Sequence, residues 1–271
     1  MDRYVVIGNP VSHSLSPAIH ARFAALMGEE LEYTALLAPL DDFSSTARRF
    51  FDEGGRGANV TLPFKMNALR FAHEASDAAR IAGAANVLMR QGMRVVADNT
   101  DGAGLVEDLT TNLGVRLAGA RILVLGAGGA ARGVLAPLLA LQPALVAIAN
   151  RTVARAEELA HQFAAHGEVA VLPLPLQPRE PFDLVINATS SSVHGDPLDL
   201  PRGTVKPTGL VYDMAYGAAA HAFLEKARAQ GVQASDGLGM LVEQAAESYR
   251  LWRGRRPPTR AVLGELRSRA S

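Results

Sequence analysis

The chain contains no cysteine in its 271 residues. That excludes disulfides, thiol nucleophiles and thiolate metal sites, and suits a reducing compartment, so a cytoplasmic location is expected. It also carries no net charge, because 27 basic side chains balance 27 acidic ones. Neither nucleic acid nor a membrane surface is therefore expected as a partner. No apolar run approaches the roughly 20 residues that a bilayer-crossing helix requires. The histidines lack metal-ligand spacing, and no metal is expected. Lysine is scarce: Lys65, Lys206 and Lys226 stand against 24 arginines. Arginine cannot release its proton in a protein whereas lysine can, so a site that needs a proton carrier could not accept the usual basic residue. Lys226 lies in a polar helical stretch and reads as solvated surface. Lys206 reads as a loop residue before Pro207, which leaves Lys65 as the lysine to explain.

What is present describes two α/β domains. Up to about residue 100, strand-like runs (4–7, 33–37 and 58–62) alternate with helical ones (16–27 and one through 47–51). A hairpin over 87–96, turning at Gln91-Gly92, adds an antiparallel element, so the first sheet is expected to be mixed. A helix near 104–114 leads into further strands at 121–125, 145–148, 169–172, 183–187 and 210–213, the pattern of a doubly wound parallel sheet. Pro137 falls inside the helix after the first of these and predicts a bend or an early end. A strong helix over 238–252 is expected to return to the first domain, giving a discontinuous domain of 1–102 and 237–271 and an inserted one of 103–236. The stretch from Arg250 holds seven arginines and one glutamate. It reads as a solvated tail with a short terminal helix rather than a phosphate site.

The run Arg121-Ile-Leu-Val-Leu-Gly-Ala-Gly-Gly-Ala-Ala131 carries the clearest chemistry. Gly126 permits a tight turn, Gly128 lets backbone approach a pyrophosphate, and Ala131 keeps the helix close to the sheet. The free N–H groups at that helix start face the phosphates. The next strand ends in Asn150-Arg151-Thr152 rather than a carboxylate, with Arg155 one turn on. Two guanidiniums on one helix face suit a 2′-phosphate, so NADP is expected rather than NAD.

Four N-terminal motifs join this run: Gly8-Asn-Pro-Val-Ser-His-Ser-Leu-Ser-Pro17, Asn59-Val-Thr-Leu-Pro-Phe-Lys65, Gly83-Ala-Ala-Asn86 and Asp98-Asn-Thr-Asp-Gly102. With Asn187-Ala-Thr-Ser190, Asp213-Met214 and Asp236-Gly-Leu-Gly-Met-Leu241, they make the whole chain resemble the shikimate dehydrogenase family. The resemblance implies reversible reduction of 3-dehydroshikimate to shikimate with NADPH, on the way to chorismate and the aromatic amino acids. It implies an N-terminal mixed-sheet substrate domain, a Rossmann-type NADP-binding domain and a monomer or homodimer. Lys65 and Asp101 match the family's catalytic pair. Ser14 and Ser16 match its substrate-carboxylate ligands, and Ser16-Pro17 also reads as N-cap plus first helical residue.

Thr61, Asn86, Asp101 and Gln244 correspond to partners of the substrate hydroxyls, and Tyr216 to a further substrate contact. Gly126, Ala127, Gly128, Gly129 and Ala130 correspond to the diphosphate loop, and Asn150, Arg151, Thr152 and Arg155 to the 2′-phosphate site. Thr189, Met214 and Gly237 correspond to the nicotinamide side, and Asp77 to a weaker cofactor contact. The chain departs from the family at Val87, where threonine is frequent, at Ser192 and Val193 in place of a glycine, and at Gly217, where Asn-Pro usually follows Tyr216. Two other readings remain at this point: a quinate/shikimate dehydrogenase of broader range, and a non-catalytic NADPH-binding regulator. The second predicts a lost catalytic pair, and Lys65 and Asp101 are both present.

Overall fold

Short apolar runs closed by glycine turns become twelve strands in two six-stranded sheets among the described residues of the computed structural model, which are 1–189 and 199–270. The chain divides into one unit of Met1–Gly104 with the residues from Leu241 onward, and a second unit of Leu105–Met240. It passes from the first to the second within α5 and back within α9, whose ranges follow.

In the first unit the strands are β1 (Asp2–Gly8), β2 (Leu31–Leu37), β3 (Gly57–Val60), β4 (Glu74–Ala75), β5 (Val87–Gln91) and β6 (Arg94–Asp98). They lie in the order β2-β1-β3-β5-β6-β4. The β1 neighbours are parallel, β3–β5 and β5–β6 are antiparallel, and β4–β6 is parallel, so the sheet is mixed as expected. The helices are α1 (Ser16–Met27), α2 (Phe43–Asp52), α3 (Lys65–Phe71), α4 (Asp77–Ala82) and α5 (Asp101–Glu107), the last widening into a π turn at Asp108–Asn112.

Alternation along β1 sorts the core. Val5 and Ile7 join Phe43, Phe50, Phe51 and Phe64 on one face, while Tyr4 and Val6 join Val11 and Tyr33 on the other. The second face is covered by Trp252, whose ring stacks on Tyr4 at 4.8 Å and whose indole N–H donates to Leu88 O. A Cβ on Gly57 would run into that indole, so only glycine lets β3 pass beneath it.

In the second unit β7 (Arg121–Leu125), β8 (Leu145–Ala149), β9 (Val169–Leu172), β10 (Phe182–Asn187), β11 (Val205–Asp213) and β12 (Gln233–Asp236) are all parallel, in the order β12-β11-β10-β7-β8-β9. This is the doubly wound dinucleotide-binding order, which reverses direction between β7 and β10. The helices are α6 (Gly129–Leu139), α7 (Val153–Phe163) and α8 (Ala218–Arg228), and the chain closes with α9 (Leu238–Arg253) and α10 (Arg260–Ala270). α6 ends two residues past Pro137.

Three local expectations need correction. The hairpin turns at Gly92-Met93, one residue later than read, because Gln91 pairs with Arg94 and Gly92 supplies the positive φ of 61°. Helix α1 starts at Ser16 with Leu15 as N-cap; the Ser14 hydroxyl accepts the Ser16 N–H at 3.2 Å, so the serine before the helix does the capping. Lys206 lies inside β11, not in a loop: the register slips between Phe182 and Leu184, and the irregularity accommodates Pro207 while Lys206 Nζ reaches Asp183 Oδ1 at 2.7 Å.

Three of the seven C-terminal arginines form ion pairs among the described residues. Arg250 pairs with Glu247, Arg253 with Asp2 and Glu29, and Arg256 with Glu243 and Glu247. Arg253 fastens the end of α9 to β1 and to the turn after α1, while Arg255 and Arg260 are exposed as the sequence suggested.

Candidate active site

Lys65 is the first residue of α3, at the C-terminal end of β3, and the buried ring of Phe64 holds the preceding turn in the core. Asp101 opens α5, where an acidic side chain suits the positive end of the helix. The two meet with Lys65 Nζ 2.6 Å from Asp101 Oδ2, their side chains 29% and 12% exposed. The Lys65 side chain is thus the more accessible of the two, and the carboxylate is held from behind.

The holding is done by amides. Asn86 Nδ2 lies 2.9 Å from Asp101 Oδ1, 3.0 Å from Thr100 Oγ1 and 3.1 Å from Gln244 Oε1. Asn86 Oδ1 accepts the Thr100 N–H at 2.8 Å, and the Asp101 N–H bonds Asn99 Oδ1 at 3.0 Å. Gln244 reaches this cluster because α9 lies against the start of α5 at Gly104, where a Cβ would come within 2.6 Å of Gln244 Cβ. Lys65, Asp101, Asn86 and Gln244 thus form one connected group. Asn86 is almost fully buried, and its bonds run to protein groups rather than into open space.

Thr61 lies in the turn between β3 and α3, half-buried, with Gly8 packed on its methyl at a spacing that no larger residue permits. Ser14 is half-buried and Ser16 buried at the start of α1. Burial holds the Tyr33 phenol well above its usual range, and the Ser16 hydroxyl beside it opposes that shift.

In the second unit, the strand ends gather the remaining residues. Gly126 follows β7 with φ 104°, and a Cβ there would meet Thr189 Cγ2 at 2.9 Å and Ala188 O at 3.1 Å. Space is open around Gly128 and Gly129, where a Cβ would touch nothing within 4 Å. Helical geometry leaves the first N–H groups of α6 without internal partners. The loop thus has both room and donors for a diphosphate, with Ala127 and Ala130 lining the same turn.

After β8, Asn150 Nδ2 bonds Thr152 O at 2.8 Å, and Thr152 caps α7 by position without a side-chain bond. Arg151 and Arg155 are both exposed and make no ion pair among the described residues. That distinguishes them from the paired arginines of the C-terminus and fits a bound 2′-phosphate. Met214 follows β11, and its carbonyl blocks any side chain at Gly237.

Two other assigned residues lie one in each unit. Asp77 is in the first unit, 86% exposed at the side chain and paired with Arg80 at 2.6 Å. Tyr216 is half-buried in the second unit, its phenol pushed up by burial, next to Gly217 at φ 64°. The glycine suits that conformation, which side chains rarely adopt. The loop that begins at Ser190, with Ser192 and Val193, lies outside the described residues. Among the described residues no cluster of acidic or histidine side chains is placed to hold a metal.

Comparison with known proteins agrees along the chain. Residues 6–88 match the family described as shikimate dehydrogenase substrate binding domain, 108–194 that of shikimate / quinate 5-dehydrogenase, and 237–267 the shikimate 5'-dehydrogenase C-terminal domain. The shikimate dehydrogenase (NADP(+)) of an Acidovorax species is 51% identical, covering 98% of this chain and 96% of its own. The chain belongs to the shikimate dehydrogenase family. Its structure is similar to that of an Ael1 enzyme from Pseudomonas putida, with a TM-score of 0.90 and 44% identity over 98% of each chain. It is also similar to the shikimate 5-dehydrogenase from Thermus thermophilus in complex with NADP(H) and shikimate, with a TM-score of 0.87 and 34% identity over 100% of both chains.

Within this shikimate dehydrogenase fold, several polar residues join the candidate site that the sequence did not single out. Asn59, Asn99 and Thr100 sat inside quoted motifs without a role, and Asn187 and Asp213 end β10 and β11 fully buried, joined at 2.9 Å. A polar residue closing an apolar strand was the available signal. Ser248 gave a weaker one, a hydroxyl four residues after Gln244 on an otherwise apolar helix face.

Proposed function

We propose that the chain catalyses the reversible NADP(H)-dependent interconversion of 3-dehydroshikimate and shikimate, a step toward chorismate and the aromatic amino acids. Its 51% identical relative is named for that activity, and a structural neighbour holds both ligands. The observation that carries the chemistry is the 2.6 Å contact of Lys65 Nζ with Asp101 Oδ2.

Bound NADPH supplies the hydride, which leaves a developing alkoxide on the former carbonyl. Lys65 donates a hydrogen bond to that oxygen, stabilises its charge and passes it a proton; in the reverse direction the amine takes the proton from the hydroxyl. Asp101 fixes the ammonium by one oxygen and is itself fixed by Asn86 through the other. Ser14 and Ser16 take the substrate carboxylate at the start of α1. Thr61 and Gln244 address the ring hydroxyls, and Asn86 supports that wall from behind through Asp101. The backbone from Gly126 to Ala130 cradles the diphosphate, Asn150, Arg151, Thr152 and Arg155 take the adenosine end with its 2′-phosphate, and Thr189, Met214 and Gly237 line the nicotinamide. The same reading has the enzyme acting on small molecules in the cytoplasm as a monomer or homodimer, a location that a chain without cysteine suits.

The test is the initial rate with shikimate or quinate, each against NADP+ and NAD+, followed by nicotinamide absorbance. A rate confined to shikimate with NADP+ supports this reading. Comparable rates with quinate or NAD+ would move it to a broader relative, and no rate with any pair would remove catalysis.

A further inference from the structure

Behind the Lys65–Asp101 pair runs a buried chain of hydrogen bonds whose centre is Ser248. This serine sits on α9, one turn past Gln244, and is fully buried. Its hydroxyl donates to Gln244 O at 2.9 Å, accepts Asn59 Nδ2 at 2.9 Å and lies 3.3 Å from Thr100 Oγ1. The Thr100 hydroxyl donates to the same carbonyl at 3.1 Å and accepts from Asn86 Nδ2 at 3.0 Å.

Both hydroxyls lie within donating distance of the Gln244 carbonyl, the Thr100 hydroxyl is also 3.3 Å from Asn86 Oδ1, and each oxygen lies within reach of an asparagine Nδ2. This network favours one facing of each amide. Asn59 turns Nδ2 toward Ser248 and Asn86 O, and Oδ1 toward the Tyr33 hydroxyl at 2.7 Å. Asn86 turns Oδ1 to the Thr100 N–H, which keeps an amide proton for Asp101 Oδ1 and frees Oδ2 for Lys65. A hydroxyl carries one donor and two acceptor positions, so removing Ser248 Oγ leaves a buried Asn59 proton unpaired and lets the neighbouring amides reorient.

We infer that Ser248 is a positioning residue of the reaction: it sets the orientation of Asn86 through Thr100 and Asn59, and so the direction in which Asp101 presents its carboxylate to Lys65. The inference rests on the proposed reaction and adds a residue that touches neither substrate nor cofactor in it.

Ser248→Ala is expected to lower kcat for shikimate oxidation about tenfold, the worth of one well-placed hydrogen bond, with KM for NADP+ unchanged. In an Asp101→Asn background the same substitution is expected to change kcat by less than about twofold, because the group it positions is already gone. Tyr33→Phe keeps the ring and removes only the hydroxyl on Asn59, and is expected to lower kcat in the same direction, again only when Asp101 is present. Wild-type kcat in Ser248→Ala, or an equal loss in both backgrounds, would overturn the inference and leave Ser248 a packing residue. If Ser248→Ala fails to fold, an equal loss for Tyr33→Phe in both backgrounds would overturn it as well. Absence of turnover in the unsubstituted enzyme would instead overturn the reaction on which the inference stands.

Discussion

At the scale of single residues, charge and proton transfer separate cleanly in the candidate site. Lys65→Ala is expected to lower kcat by about a hundredfold or more while shikimate still binds, because alkoxide stabilisation and proton donation leave with the amine. Lys65→Arg keeps a cation beside Asp101 but cannot exchange its proton, so its kcat should stay low; steady-state rates with calorimetric shikimate binding check both. Arg151→Ala is expected to weaken NADPH far more than NADH in fluorescence titrations, since only the former carries a 2′-phosphate. His20 offers a prediction about stability. Its ring is fully buried, stacked on Tyr33 at 4.1 Å, and burial pushes its pKa down to about 3, which neighbouring Asn59 opposes in part. An unfolded histidine titrates near 6.5, so between that value and about 3 the unfolded chain binds a proton that the folded chain refuses. This contribution is complete above about pH 6.5 and is lost as pH falls toward 3, by up to about 1.4 kcal/mol per unit. Urea unfolding at about pH 7.5 and about pH 5 should show a steeper loss for the natural chain than for His20→Phe, and equal losses would discount the histidine.

At the scale of elements, the α5–α9 crossing is the contact on which the site's geometry depends. A Cβ on Gly104 would sit 2.6 Å from Gln244 Cβ and 2.7 Å from Gln244 N, and backbone cannot yield as a side chain can. Gly104→Ala is expected to destabilise by roughly 1–3 kcal/mol and to raise KM for shikimate by moving Gln244, read from thermal unfolding and initial rates. Much of this level was legible in the sequence because its causes are local. The alternation along β1, the glycines after β7 and the arginines after β8 each depend on a few adjacent residues. What escaped the sequence depended on partners distant in the chain. Lys206 entered β11 through a register slip set by β10, and the N-cap of α1 moved to Leu15 because Ser14 reaches the helix from outside it. The bonds from Asn59 and Thr100 to Ser248 join residues far apart in number, and no spacing rule reveals them. The scarcity of lysine made Lys65 stand out, whereas its pairing with Asp101, 36 positions on, was legible only through resemblance, and their meeting is a product of the sheet.

At the scale of the whole molecule, the chain holds two self-contained cores, one mixed and one fully parallel, each with its own strand-end residues for a ligand. A ligand that binds only folded protein stabilises by RT ln(1 + [L]/Kd), about 2.7 kcal/mol at a hundredfold excess over Kd. Local opening follows the stability of the cooperative unit that opens, so the two ligands should leave different signatures. NADP+ is expected to slow amide exchange most in β7, β8, β10 and β11 and at the start of α6, whose glycines and arginines it would engage. Shikimate is expected to slow exchange most in β3, β5 and the first turns of α3 and α5. Hydrogen exchange read by mass spectrometry on the holo and substrate-bound protein separates the two. Uniform slowing of every strand by either ligand alone would show one cooperative body rather than two, and protection of β7 and β8 by shikimate but not by NADP+ would contradict the assignment of the glycine loop.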